Sequence, residues 1–208
     1  MRRGVTATSL ILLAGSLIGF AAASNAATKQ PPTASPQAAD PTSVDFARLR
    51  AEFGGRSDFS DMCERDRPLH RLAELVHQQH WTDVLAASAP WLQQCPIDID
   101  AHLIRAIALK ELGRAAESDH HAEWFRGLVD SILTSGDGRT PQTAFIVISV
   151  AEEYSILRVL QMKPTRHVIM ATGVDALHVQ GDVGVAGIIY FNPAAHIRRL
   201  GERSATPK

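Results

Sequence analysis

Residues 135–192 read SGDGRTPQTAFIVISVAEEYSILRVLQMKPTRHVIMATGVDALHVQGDVGVAGIIYFN, and the order of signals along them decides the fold class. Ser135-Gly136-Asp137-Gly138 is turn chemistry, with Gly136 suited to the left-handed position that follows a helix. Ala144 to Val150 is dense in β-branched residues, which predicts a strand buried on both faces. Glu152 and Glu153 then suit a helix N-terminus, where carboxylates meet the positive end of the dipole. Tyr154, Ile156, Leu157 and Leu160 carry that helix on, and Pro164 is expected to end it. Three more strands follow at His167–Ala171, Asp175–Val179 and Val185–Asn192, with turns at Thr172-Gly173 and Gly181-Asp182. Successive strands joined by short turns predict an antiparallel meander, so this block is α+β.

Upstream of it the period changes from two to 3.6. Leu69, Leu72, Ala73 and Val76 share one stripe of a helix over Leu69–Gln79. Val84, Leu85, Ala89 and Leu92 do the same over Thr82–Gln94, with Pro96 just beyond its end. A tight turn near His80-Trp81 forces these helices antiparallel, which brings Cys95 back to Cys63. These are the only two cysteines, and the spacing predicts a disulfide between them. A third helix starts near Ile99, capped by Asp98 or Asp100, with Leu103, Ala106, Ile107 and Leu109 expected to face inward. Gly113 marks its turn, and a fourth helix runs from Ser118 to Thr134 with Trp124, Leu128, Ile132 and Leu133 apolar. The whole reads as helical hairpins over 46–135 packed on a small C-terminal antiparallel sheet, with one intervening helix. The 136–200 block is expected to share its core with the helices, and 201–208 to be a disordered tail.

The first residues give an address. Arg2 and Arg3 precede the apolar run LILLAGSLIGFAAA, about fourteen residues long, and Ser24-Asn25-Ala26 offers small residues for cleavage. A spanning helix wants roughly 20 apolar residues, so residues 1–26 are expected to be a removable signal peptide and the protein periplasmic or secreted, with no stable membrane anchor. Residues 27–45, rich in Pro, Ala, Ser and Thr, are expected to be a disordered linker. The formal charge is −1, and no basic stripe interleaved with aromatics is present, which argues against a nucleic-acid partner.

Two resemblances add to this reading. LKELGRAAES, with Gln94-Cys95-Pro96 where a repeat would close, resembles the tetratricopeptide class of helix-turn-helix repeats. The first hairpin departs from that pattern, with His80 standing where glycine is expected. The order SGDG, TAF-I-VIS, EEY and YFN resembles an uncharacterised family of exported bacterial proteins known only as a domain of unknown function. The second resemblance covers roughly 98–192 well and the N-terminal helices loosely; it implies a fold and supplies no mechanism.

Candidate chemistry is sparse. Asp137 sits between two glycines but lacks the spaced oxygens and final glutamate of a calcium loop. Glu152 and Glu153 are neighbours on a helix and cannot face each other, yet Glu153 and Tyr154 could serve as an acid and its partner. Asp175 in a strand could be catalytic, or could simply face outward at an edge. His70, His77 and His80 could line one helical stripe as metal ligands, although no H-E-x-x-H is present. There is no G-x-S-x-G and no phosphate loop, and no cofactor is expected. The leading expectation is a non-enzymatic envelope module that binds another envelope protein or peptide. One alternative is a periplasmic hydrolase using Asp137, Glu153, Tyr154 and Asp175 at the junction of the two halves. The other is a small-ligand binding module.

Overall fold

The computed structural model of the protein describes residues 39–205, apart from 182, 183 and 185. The expected signal peptide and most of the expected linker lie outside those residues. Within the linker's last stretch, Pro41–Ser43 form a 3-10 turn with Pro41 buried, and Asp45 caps α1 (Phe46–Gly54) by accepting from Arg48 N. A π-helical turn over Ser60–Glu64 carries Cys63. Four helices follow: α2 (Leu69–His77), α3 (Trp81–Gln94), α4 (Ile99–Glu111) and α5 (Ala115–Leu133). The turn between α2 and α3 is made by Gln79, at φ 58°, rather than by His80. Cys95 then closes a disulfide to Cys63 across a Cα–Cα distance of 5.2 Å.

Asp98 is the cap of α4, accepting from Ala101 N. The inward face of α4 is Ala101, His102, Ala106, Ala108 and Leu109, whereas Leu103 and Ile107 remain 37% and 38% exposed. The inward assignment therefore holds for Ala106 and Leu109 and fails for Leu103 and Ile107. Small residues let α4 approach α5 closely on one side, and the bulkier leucine and isoleucine are left on the other.

The C-terminal block is β1 (Phe145–Ile146), α6 (Val150–Val159), β2 (Met162–Ile169), β3 (Asp175–Gly181), β4 (Ala186–Asn192) and α7 (Ala194–Ala205). The sheet order is β1-β4-β3-β2. β2, β3 and β4 form the expected antiparallel meander, but β1 pairs parallel to β4 through Phe145 and Phe191, so the sheet is mixed. The fold class is α+β.

Four local expectations change. The strand predicted over Ala144–Val150 is cut to two residues, because Ser149 caps α6 and Glu152 Oε2 takes the Ile148 N–H. A cap and a carboxylate four residues on outcompete β propensity there. Pro164 does not end α6, which stops at Val159; it stands in edge strand β2 beside a bulge, the setting where a strand tolerates proline. Gly138, not Gly136, is left-handed (φ 66°), while at Gly136 an added Cβ would lie 2.4 Å from Thr143 O. Helix α7 also extends to Ala205, into the stretch expected to be a tail.

One buried cluster includes Leu72, Leu92 and Trp124 of the helices together with Leu177 and Phe191 of the sheet. Buried arginines tie it across elements. Arg50 of α1 forks onto Glu152 of α6 at 2.8 and 2.7 Å and also donates to Ile146 O and Ser131 Oγ. Arg199 of α7 donates to Gly54 O and Ile148 O. Among the described residues no helix is long and apolar enough to cross a membrane.

Candidate functional site

Among the described residues, two places stand out for chemistry or binding. The first is an apolar groove of about 560 Å³. Its walls come from Leu69 and Ala73 of α2, Leu103 and Ile104 of α4, Phe125 of α5, and Val159 of α6. These residues line a trough because α2 and α4 open the two helical hairpins and α6 lies across from them. Ile107, one turn on from Leu103, extends the apolar surface along α4.

The groove's polar rim is Asp100, Ser155 and Arg158. Asp100 is 6% exposed and accepts from Arg67, Ser155 and Arg158 together. Arg67 also forks onto Asp98, which accepts the indole N–H of Trp91 as well. Burial opposes the charge on Asp98, but Arg67 and the Ala101 N–H overcome that and hold its carboxyl below the ordinary value. Arg158 is paired with Asp100 yet its side chain is about half exposed, so an edge of this guanidinium faces the groove mouth.

The second place lies between α6 and the sheet. Glu153 comes from the first turn of α6, Asp175 opens β3, and His167 sits on β2 across from Leu177. Glu153 is 0% and Asp175 5% exposed. Among the described residues no N–H or hydroxyl donates to either oxygen of Glu153 or to Asp175 Oδ1, and the group that faces the Glu153 carboxyl is the carboxyl of Asp175. His167 Nε2 lies 3.2 Å from that Asp175 oxygen, near enough for an ion pair but not aligned as a hydrogen bond. Burial first, and then the neighbouring Asp175 carboxylate, push the Glu153 carboxyl up to about 9. Among the described residues this trio is the one set of three or more donors placed to hold a metal ion. Chemically, it can share a proton between two carboxyls or bind a cation.

The structure separates the residues singled out from the sequence. Glu153 and Asp175 come together, while Glu152 turns away to Arg50, as the 100° step between helical neighbours requires. Tyr154 is 37% exposed and does not join the pair. Asp137 is an exposed turn former that accepts from Arg139 N and Thr143 Oγ1. His70 and His77 on α2 and His80 at the start of α3 are all exposed. His167 escaped the sequence reading, although pairing β2 with β3 around the Thr172-Gly173 turn puts it on the Asp175 face.

A second buried feature was equally illegible. His102 is fully buried, stacked on Trp124, with Nε2–H donating to Pro96 O at 2.9 Å. Its Nδ1 must then accept from His121 Nδ1–H at 3.0 Å, and His121 Nε2 accepts from Arg105 Nε. Burial lowers His102 to about 4, and burial with the facing His102 lowers His121 to about 3. Both rings are therefore neutral and structural at neutral pH.

A family model described as a domain of unknown function (DUF4919) matches residues 62–199. No curated protein and no solved structure matches the chain.

Proposed function

Since the chain belongs to this family of unknown function, its role has to be read from its own geometry, and we propose that it is an exported binding module of the cell envelope. In this reading the groove between α2, α4 and α6 holds a peptide segment of another envelope protein. The groove itself carries the proposal. Its size falls within the range of binding pockets and its lining is mostly apolar with a few convergent polar groups. The occupant is a segment that places apolar side chains against Leu103, Ile104 and Phe125 and an acidic side chain near Arg158.

The resemblance of the two hairpins to tetratricopeptide units supports this reading only by analogy of fold. The Cys63–Cys95 disulfide supports export, because such bonds persist in oxidising compartments. A periplasmic location is part of the proposal. The hydrolase alternative draws on Glu153 and Asp175 beside His167, but Asp137 and Tyr154 do not complete that site. A small apolar molecule is the remaining occupant to test against a peptide.

The test is a photo-crosslinking amino acid in place of Ile107 in the exported protein. Illumination should give a protein adduct whose linked segment contains apolar residues and a carboxylate. Leu103→Asp, on a partly exposed position, should abolish it and Arg158→Gln should weaken it, with circular dichroism confirming that both variants are folded. An adduct that persists in both variants, or the absence of any peptide adduct, overturns the proposal.

A further inference from the structure

The seam between α6 and the sheet contains three side chains that the groove does not use. One donor atom from each of Glu153, His167 and Asp175 lies within 4.8 Å of the other two. Folded proteins leave few buried polar atoms without an aligned donor, yet among the described residues none is aligned on either Glu153 oxygen or on Asp175 Oδ1. Arg50 is committed to Glu152, and Arg67 and Arg158 to Asp98 and Asp100. A proton shared by the two carboxyls would satisfy part of the set and leave the imidazole in a loose, unaligned contact with Asp175 Oδ1. A divalent ion would displace that proton, serve all three donors and balance the two carboxylate charges.

We propose that Glu153, Asp175 and His167 form a binding site for a divalent first-row transition cation of the zinc class. Two carboxylates alone would suit magnesium or calcium, whereas an imidazole in a set of only three protein ligands favours zinc and its neighbours. Zinc–oxygen and zinc–nitrogen bonds of roughly 2.0–2.2 Å require the donors to close around the ion. His167 supplies the freedom to do so: it stands on edge strand β2 with its side chain 38% exposed. The same exposure gives the ion an entry path and leaves room for water in the remaining coordination position. Buried Glu153 and Asp175 form the fixed floor of the site, on a helix and a central strand. The site is independent of the groove, so either can fail without the other.

The experiment uses the exported, disulfide-intact chain after chelator treatment. Zinc is titrated against a competing fluorescent chelator, and cobalt is added separately as a spectroscopic probe. One tightly bound zinc per chain is expected, with visible cobalt bands indicating nitrogen and oxygen ligation. His167→Ala, at an exposed position that leaves the core intact, should weaken zinc at least tenfold and remove the cobalt bands. Glu153→Gln keeps the shape of the buried side chain and should do the same, with circular dichroism confirming that both variants are folded. His77→Ala, on an exposed helix face, should bind like the parent. No zinc binding by the parent, or binding unaffected by His167→Ala and Glu153→Gln, overturns the assignment.

Discussion

Replacing Arg50 tests whether the first helix belongs to the same core as the C-terminal block. Arg50 is 4% exposed, and its guanidinium makes four bonds, two to Glu152 and one each to Ser131 Oγ and Ile146 O. Arg50→Met would leave the Glu152 carboxylate, itself 5% exposed, with the Ile148 N–H as its remaining donor across the seam. Breaking a buried pair from one side costs about 3–5 kcal/mol, because the surviving charge stays desolvated. The Coulomb scale agrees: unit charges about 4 Å apart interact by about 4 kcal/mol at an effective dielectric of 20. Adding Glu152→Gln removes the stranded charge and keeps an acceptor for Ile148 N–H. The double variant should therefore recover about 2 kcal/mol relative to the sum of the singles. Urea unfolding of the four proteins, with the disulfide intact and slopes compared as well as midpoints, measures this. A single-variant cost under about 1 kcal/mol, or strict additivity, would show that α1 is only loosely attached and refute the reasoning.

Two further outcomes follow from buried groups. His102 has a folded pKa of about 4, below the ordinary imidazole value, so the unfolded chain binds more protons between those limits. Stability is then complete above pH 6.5 and falls on acidification toward pH 4, by about 2 kcal/mol at pH 5 from this residue alone. His102→Gln should flatten that acid limb in urea midpoints taken at pH 5 and pH 7; parallel slopes in the two proteins would contradict it. The Cys63–Cys95 bond closes a 32-residue separation, and chain entropy assigns it about 3–4 kcal/mol. Cys63→Ala/Cys95→Ala should lower the urea midpoint accordingly, and an unchanged midpoint would mean that the unfolded chain gains nothing from the cross-link.

How much was legible depends on the range of each signal. α2 and α3 could be read within a residue or two because their apolar spacing and ends are local. β3 and β4 could be read because their turns are short. β1 was overextended because Ser149 and Glu152 capture the chain for α6, a competition that strand propensity does not contain. α7 went unread because Arg199 anchors it to Gly54 O and Ile148 O, partners far away in sequence. Glu153 and Asp175 were visible as residue types, but nothing near either one announced that α6 would cover the inner face of β3. Asp175 could as well have been an outward-facing edge residue.

The amino-acid sequence alone determined the helical hairpins, the disulfide partner, the α+β class and the three-stranded meander. Each follows from periodicity, capping or chain return over a short stretch, where a few residues carry the whole cause. The tertiary structure decided the parallel pairing of β1, the groove beneath α6 and the meeting of Glu153, His167 and Asp175. Those depend on which faces pack together, and packing is settled by the joint burial of the whole core rather than by any one segment.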